Sequence, residues 1–126
     1  MEEKKIILAI DDNVTQLDIF HKMLTPKYDI RVAKSASDAI NFMNANLVDL
    51  ILLDIEMPNV SGFDFLTDVR MVPSYMLVPI IIVSGNTGHE FFAQARKSSA
   101  FDVLTKPVQT GILISAIEKA LASVEK

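Results

Sequence analysis

The chain has 126 residues, of which half are hydrophobic and 22% are charged. A chain of this length supports one hydrophobic core and is too short for two, and its composition excludes a disordered, collagen-like or disulfide-dense protein. We therefore predict a single domain over residues 1–126. The net charge of −4 provides no general attraction to nucleic acid or to an anionic membrane. We expect its partners to be protein surfaces or cations.

The sequence contains no cysteine, which excludes disulfides, thiolate metal ligands and a cysteine nucleophile. The longest apolar runs, at 50–53 and 78–83, are far shorter than the roughly 20 residues that span a bilayer. The first residues, Met-Glu-Glu-Lys-Lys, lack the apolar segment of a signal peptide. We expect a soluble cytoplasmic protein that binds neither membranes nor nucleic acid directly.

The first half of the chain alternates two strands with two helices. Ile6–Ile10 is almost wholly apolar, which predicts a buried strand. A segment of helical spacing follows and is stopped by Pro26. Tyr28–Ala33 alternates as a half-buried strand does, and Ser35 or Ser37 provides a cap for the next helix.

The second half continues this alternation with three further units. The predicted elements are strand Leu50–Leu53, helix Phe63–Arg70, strand Pro79–Val83, helix Glu90–Lys97, strand Asp102–Leu104 and helix Thr110–Val124, with Met57, Pro58, Asn59 and Gly62 in the loop before the first of these helices. Strands that are apolar on both faces are typical of a parallel sheet covered by helices on each side. Five strand-helix units therefore predict a doubly wound α/β domain.

Polar residues follow four of the five predicted strands, namely Asp11, Asp12, Asp54, Ser84 and Lys106. Because ligand sites in open parallel sheets form beyond the carboxyl ends of the strands, we expect these side chains to meet at one edge. Three neighbouring carboxylates repel one another unless a cation lies among them, and all-oxygen ligation favours Mg²⁺ over Zn²⁺. The lysine and the hydroxyl would stabilise a phosphoryl anion beside that metal. Asp54, alone at the end of the most buried strand, is the best-placed nucleophile for an acyl phosphate.

This set of residues resembles the receiver domain of two-component response regulators, and in particular the single-domain chemotaxis regulators, over the whole chain. The motifs stand in family order: an acid pair after the first strand, Asp54 followed by Met-Pro and then Gly62, Ser84 with a small residue after it, and a Lys-Pro pair after the last strand. The resemblance implies a flavodoxin-like fold with strand order 2-1-3-4-5. It also implies a signalling switch that catalyses only its own phosphorylation and dephosphorylation.

Family roles follow for the acidic residues. The resemblance implies that Asp54 accepts a phosphoryl group from a phosphohistidine on a sensor histidine kinase or a histidine phosphotransfer protein. It assigns Mg²⁺ to Asp12, to the Asp54 side chain and to the backbone carbonyl of Glu56. Asp11 would act on the metal through a bound water.

Further roles follow for the end of the domain. The resemblance implies that Ser84 and Lys106 bind phosphoryl oxygens and that the peptide bond before Pro107 is cis. Movement of Ser84 would then remodel the loop after the fourth strand. A downstream protein target would bind the face formed by the fourth helix, the fifth strand and the fifth helix.

The sequence departs from the family pattern at the fifth strand. Val103 stands where the family usually has an aromatic residue that couples to the serine, so this position departs from the aromatic part of the family's switch. Gly85 follows Ser84 where alanine is common, so we expect easier access to the phosphoryl group. Phe91 and Phe92 are adjacent on the fourth helix, and we expect one of them to be exposed for a partner. The apolar connection at 71–78 is expected to pack locally, with a contact surface as the alternative.

Four other interpretations remain open at this point. A small phosphatase of the haloacid-dehalogenase type also uses an aspartate at a strand end with Mg²⁺, but it would have a second aspartate where this chain has Glu56. A flavodoxin-like cofactor binder would need a phosphate loop where Asp11 and Asp12 stand. Those two acids could instead simply cap the first helix. Finally, a vestigial receiver would act as an interaction module without phosphorylation.

Overall fold

A computed structural model describes residues 3–57 and 61–124 of the chain. Strands and helices alternate throughout these two ranges. The elements are β1 Ile6–Ile10, α1 Val14–Leu24, β2 Asp29–Ala33, α2 Ala36–Ala45, β3 Leu50–Leu53, α3 Gly62–Arg70, β4 Ile80–Ser84, α4 His89–Lys97, β5 Asp102–Thr105 and α5 Thr110–Val124. None of the helices in the described ranges is long and apolar enough to cross a membrane.

The five strands form one parallel sheet in the order β2-β1-β3-β4-β5, which confirms the expected flavodoxin-like topology. The register aligns the carboxyl ends of β1 and β3. Ile10 pairs with Leu53, and the Asp54 amide donates to the Ile10 carbonyl at 2.9 Å. Asp11 and Asp54 therefore leave the sheet at the same level.

Hydrophobic side chains fill both faces of the sheet, as the continuous apolar strands predict. One core lies between the sheet and α1 with α5, and its buried residues include Leu17, Phe20, Leu24, Leu113 and Ile117. The other lies between the sheet and α2, α3 and α4, and its buried residues include Met43, Phe65, Leu66, Phe91 and Ala95. The strands are held from both sides, so the polar residues at their ends stand on a rigid base.

Several boundaries differ from the sequence prediction by one residue. Tyr28 precedes β2, and Pro79 precedes β4. Ser84 is the last residue of β4 and pairs with Thr105 in a β5 that is one residue longer than expected. The predicted loop at 57–62 is described only at its two ends, so Pro58 and Asn59 lie outside the described residues.

Side-chain hydrogen bonds identify the residues that cap α1 and α2. Ser35 Oγ accepts from the Asp38 amide at 3.1 Å, which confirms the first of the two expected caps of α2. The α1 cap is Asn13, whose Oδ1 accepts from the Gln16 amide at 3.2 Å. The idea that the acid pair merely caps α1 is therefore wrong, because the residue after the pair performs that function.

Two expectations about exposed apolar residues need correction. Phe91 is buried and Phe92 is half-buried against the second core, so neither is fully exposed. In the connection after α3, Tyr75 and Val78 pack on that core. By contrast, Met71 and Leu77 are each 78% exposed. Local packing therefore accounts for only part of this segment.

Candidate functional site

An acidic cluster lies at the carboxyl edge of the sheet. Asp11 and Asp12 follow β1 and Asp54 follows β3, and one carboxylate oxygen from each lies within 4.8 Å of the others. Asp11 and Asp54 are buried, at 1% and 7% exposure, whereas Asp12 is exposed. The cluster therefore has two acids fixed in the protein and one open to solvent.

Lys106 reaches into this cluster from the end of β5. Its Nζ donates to Asp11 Oδ2 at 2.8 Å and lies 3.8 Å from Asp54 Oδ1. Its backbone amide donates to the Ser84 carbonyl at 2.9 Å, and the following bond to Pro107 is cis, as expected. The end of β5 thus places one positive charge against two buried negative charges.

Asp54 is held in an environment that disfavours its charge. Burial and then the negative charge of Asp11 raise the pKa of Asp54 from 3.8 to about 6, while Lys106 and the Glu56 amide oppose that rise. The amide of Glu56 donates to Asp54 Oδ1 at 3.3 Å. A carboxylate of this kind is stabilised by an added cation, because the neighbouring lysine compensates only part of its burial.

Ser84 lies at the same edge, and its hydroxyl is engaged with its own loop. It is 1% exposed, and its Oγ accepts from the Asn86 amide at 3.1 Å. Among the described hydrogen bonds, none joins this hydroxyl to the acids. The structure therefore brings Asp11, Asp12, Asp54 and Lys106 into direct proximity and leaves Ser84 beside them.

The backbone around Asp54 is shaped by a close approach of α3. A Cβ on Gly62 would lie 2.6 Å from the Ile55 Cα and 2.9 Å from the Asp54 carbonyl oxygen. The Gly62 amide donates to the Ile55 carbonyl at 3.0 Å. Glycine is required at position 62 because the absence of a side chain lets the first turn of α3 pack directly on the backbone of Asp54 and Ile55.

Sequence reasoning missed several contacts of the site. It placed Lys106 at a phosphoryl group and did not expect its bond to Asp11. It also assigned nothing to Asn86, whose Oδ1 accepts from the Gly88 amide at 2.8 Å. The spacing of asparagine two residues before a glycine is a turn signal that would have indicated this bond.

The donor set fits a hard divalent cation. The three acids offer only oxygen, which suits Mg²⁺ or Ca²⁺ and not a soft metal. The exposed Asp12 leaves the cluster accessible from solvent. The three carboxylates leave an excess of negative charge, since the one ammonium group that pairs with them among the described residues, that of Lys106, contacts Asp11 and approaches Asp54.

The acid cluster and Lys106 lie beyond the carboxyl ends of the strands of a doubly wound sheet, which is where open α/β sheets place their ligand sites. Residues 7–118 match the family model described as the response regulator receiver domain. The chain therefore belongs to the receiver domain family of response regulators, which are signalling proteins of two-component systems that interact with histidine kinases and downstream effectors.

Curated relatives share this domain as part of longer proteins. The chain is 34% identical over 116 residues to the phosphoglycerate transport system transcriptional regulatory protein PgtA of Salmonella typhimurium, covering 91% of this chain and 28% of that protein. It is 31% identical over 117 residues to the transcriptional regulatory protein ZraR of the same organism, covering 92% of this chain and 26% of that protein. The chain thus spans only about a quarter of the length of these relatives.

Solved structures show the same fold. A CheY-like receiver domain protein of Methanospirillum hungatei superposes with a TM-score of 0.88 at 24% identity and covers 98% of both chains. The chemotaxis protein CheY4 of Vibrio cholerae superposes with a TM-score of 0.87 at 24% identity, covering 94% of this chain and 99% of that one. These likenesses confirm the expected fold class.

Proposed function

We propose that residues 1–126 form a single phospho-accepting receiver domain that acts in the cytoplasm. Asp54 is the acceptor, and the donor is a phosphohistidine on a sensor histidine kinase or a histidine phosphotransfer protein. The observation that carries this proposal is the position of Lys106 Nζ, 2.8 Å from Asp11 and 3.8 Å from Asp54. A cation beside a buried carboxylate is suited to a site that receives an anionic group.

The transfer requires one bond to form and one to break. A carboxylate oxygen of Asp54 bonds to phosphorus as the phosphorus–nitrogen bond of the donor breaks, and the donor imidazole retains that electron pair. Lys106 supplies a positive charge to the phosphoryl oxygens, and the Ser84 hydroxyl supplies a hydrogen-bond donor. The Glu56 amide at 3.3 Å from Asp54 Oδ1 orients the acceptor before transfer.

We propose Mg²⁺ as the cofactor of this reaction. The Asp12 and Asp54 side chains and the backbone carbonyl of Glu56 would hold it, with Asp11 acting through a water. When bound, Mg²⁺ supplies positive charge that offsets the repulsion between the acids and the incoming phosphoryl group. The shared oxygen chemistry of the three acids supports this assignment.

The proposed output is a change in the surface that partners bind. The face formed by α4, β5 and α5 is the proposed site for a downstream protein target, and no direct binding of nucleic acid or membrane is expected. Phe92 on α4 and Val103 on β5 are half-buried and line one surface depression between these two elements. The site supports a switch over a turnover phosphatase because an exposed Glu56, rather than a second aspartate, stands two residues after the acceptor.

The deciding experiment is incubation with Mg²⁺ and acetyl phosphate followed by intact-mass measurement. We expect one phosphoryl adduct on the wild-type chain, no adduct with EDTA and no adduct on Asp54→Asn. Asp38→Asn, which changes an exposed acid on α2, should accept the adduct normally. Absence of any adduct, together with no response to beryllofluoride, would favour the vestigial interaction module instead.

A further inference from the structure

The loop between β4 and α4 contains a short chain of hydrogen bonds that begins at Ser84. The Asn86 amide donates to Ser84 Oγ at 3.1 Å. The Asn86 side chain in turn accepts from the Gly88 amide at 2.8 Å. Because Gly88 is the N-cap residue of α4, two bonds connect the buried hydroxyl of the site to the start of that helix.

The start of α4 has little else to hold it. Gly88 makes no side-chain cap, unlike Asn13, Ser35 and Ser61, which cap α1, α2 and α3. The helix has only two buried residues, Phe91 and Ala95, fewer than any other helix in the described ranges. Elements with few buried apolar side chains are those that shift at low free energy.

Val103, on the neighbouring strand β5, has a side chain that is unsuited to transmit a conformational change from Ser84 to α4. Val103 faces the second core beneath α4 and pairs with Ile82. A β-branched side chain is stiff at χ1, so it does not swing between inward and outward positions as a long planar ring does. Coupling between Ser84 and α4 must therefore use another connection.

We propose that Asn86 is the positioning residue that couples the Ser84 hydroxyl to the N-terminus of α4, in place of an aromatic side chain on β5. This inference rests on the proposed function, since the signal is an anionic group on Asp54. A hydroxyl that turns to donate to that anion loses its alignment with the Asn86 amide. Asn86, released from the hydroxyl, then shifts and carries Gly88 through its side-chain bond to the Gly88 amide, so the first turn of α4 shifts.

The movement reaches a surface through two aromatic contacts. The Phe91 and Phe92 rings lie 5.4 Å apart edge to face, and the Phe63 and Phe91 rings lie 6.0 Å apart. Phe91 is in the first turn of α4, three residues after the capping residue Gly88. A shift of that turn repacks Phe92 beside Val103, on the surface proposed for the partner.

The test compares Asn86→Ala, Asn86→Asp and Thr87→Ala by two-dimensional amide NMR with Mg²⁺ and beryllofluoride. Asn86→Ala removes the acceptor for the Gly88 amide and keeps its own amide, whereas Asn86→Asp retains an acceptor oxygen. Thr87 is an exposed neighbour whose side chain takes part in none of the described hydrogen bonds. Fluorine NMR of the bound beryllofluoride reports occupancy of the Asp54 site separately.

We expect all variants to bind beryllofluoride and to show the wild-type shifts at 11–12 and 54–56. The shift changes at 89–95 should fall at least about twofold in Asn86→Ala and recover in Asn86→Asp, as a weakened coupling between two sites requires. Full α4 shifts in an occupied Asn86→Ala variant would overturn the coupling alone. Failure of the wild-type chain to bind beryllofluoride would overturn the proposed function and this inference together.

Discussion

Lys106 Nζ lies 2.8 Å from Asp11 Oδ2 and 3.8 Å from Asp54 Oδ1. The lysine therefore bonds to the acid after β1 and only approaches the acid after β3. Asp11 is 1% exposed, so this bond compensates a charge that solvent does not reach. The charge of the buried Asp54 carboxylate is only partly compensated. A further cation, or a group added to the carboxylate, would stabilise it.

Removing the lysine should destabilise the protein in the absence of metal. Lys106→Met leaves Asp11 and Asp54 buried without their cation, and we expect a loss of about 3 kcal/mol in the free energy of unfolding. Urea unfolding in EDTA measures it, and saturating Mg²⁺ should recover part of the loss. The control Lys27→Met removes a pair with Glu118 in which both side chains are about half exposed, and it should change stability little. Equal losses in both variants would contradict this account.

The pH dependence of stability should carry the signature of Asp54. Its folded pKa of about 6 lies above its unfolded value near 3.8, so the fold favours the neutral acid. This contribution to stability is present at low pH and is lost as the pH rises from 4 through 6. The Asp54→Asn side chain stays neutral at every pH. The stability of this variant relative to the wild type should therefore increase as the pH rises from 4 through 6.

We expect this increase in the free energy of unfolding to reach about 1 to 2 kcal/mol at pH 7. One pKa unit corresponds to about 1.4 kcal/mol, and the full effect is reduced because the site opens to solvent at Asp12. Chemical unfolding of both proteins in EDTA between pH 4 and 7 measures the difference. Mg²⁺ should flatten the slope because a cation stabilises the ionised carboxyl. A difference that does not vary with pH would show that Asp54 titrates normally.

The close approach of α3 predicts a specific effect of a single methyl group. Gly62→Ala places a Cβ 2.6 Å from the Ile55 Cα, which forces the backbone next to Asp54 to move. We expect a loss of about 2 kcal/mol in stability, as for other overpacked sites, and slower phosphorylation by acetyl phosphate. Gly111→Ala on α5, where a Cβ meets nothing within 4 Å, is the matched control. It should be neutral or stabilising, and similar losses in the two variants would refute the steric explanation.

Arg70 connects two loops at the opposite edge of the sheet. Its guanidinium donates to the Val78 carbonyl at 2.6 Å and to Ser99 Oγ at 2.8 Å, and burial lowers its pKa from the ordinary value. Arg70→Met should lose about 2 kcal/mol of stability, because hydrogen bonds from a charged donor are lost and a half-buried carbonyl is left without its partner.

The same variant should leave phosphorylation unchanged, since Arg70 lies away from the acids. Urea unfolding and intact-mass kinetics measure the two properties. Arg31→Met, which breaks an exposed pair with Asp29, is the stability control and should have a much smaller effect. Loss of phosphorylation without loss of stability in Arg70→Met would contradict this separation.

Much of the fold and part of the site could be predicted from periodicity. Continuous apolar runs at Ile6–Ile10 and Leu50–Leu53 require burial on both faces, which only a covered parallel sheet provides. Since parallel strands end at one edge, the acids after these strands had to meet there. The same logic placed Lys106 at that edge, and the observed separations agree.

Residue partnerships could not be predicted in the same way. The bond of Lys106 to Asp11 depends on how a flexible side chain crosses the gap from β5 to β1. The exposure of Met71 and Leu77, against the expected packing, depends on how far the connection after α3 extends beyond the second core. Sequence spacing does not specify either distance.

The sequence by itself determined the order of elements, the parallel sheet and the set of polar residues at its carboxyl edge, because hydrophobic patterning is local and its period is read directly. The tertiary structure alone decided that Asp11 holds the lysine, that Gly62 touches the backbone of Asp54 and that Asn86 links Ser84 to α4. These relationships are distances between separate elements and depend on side-chain rotamers, which only the packed core defines.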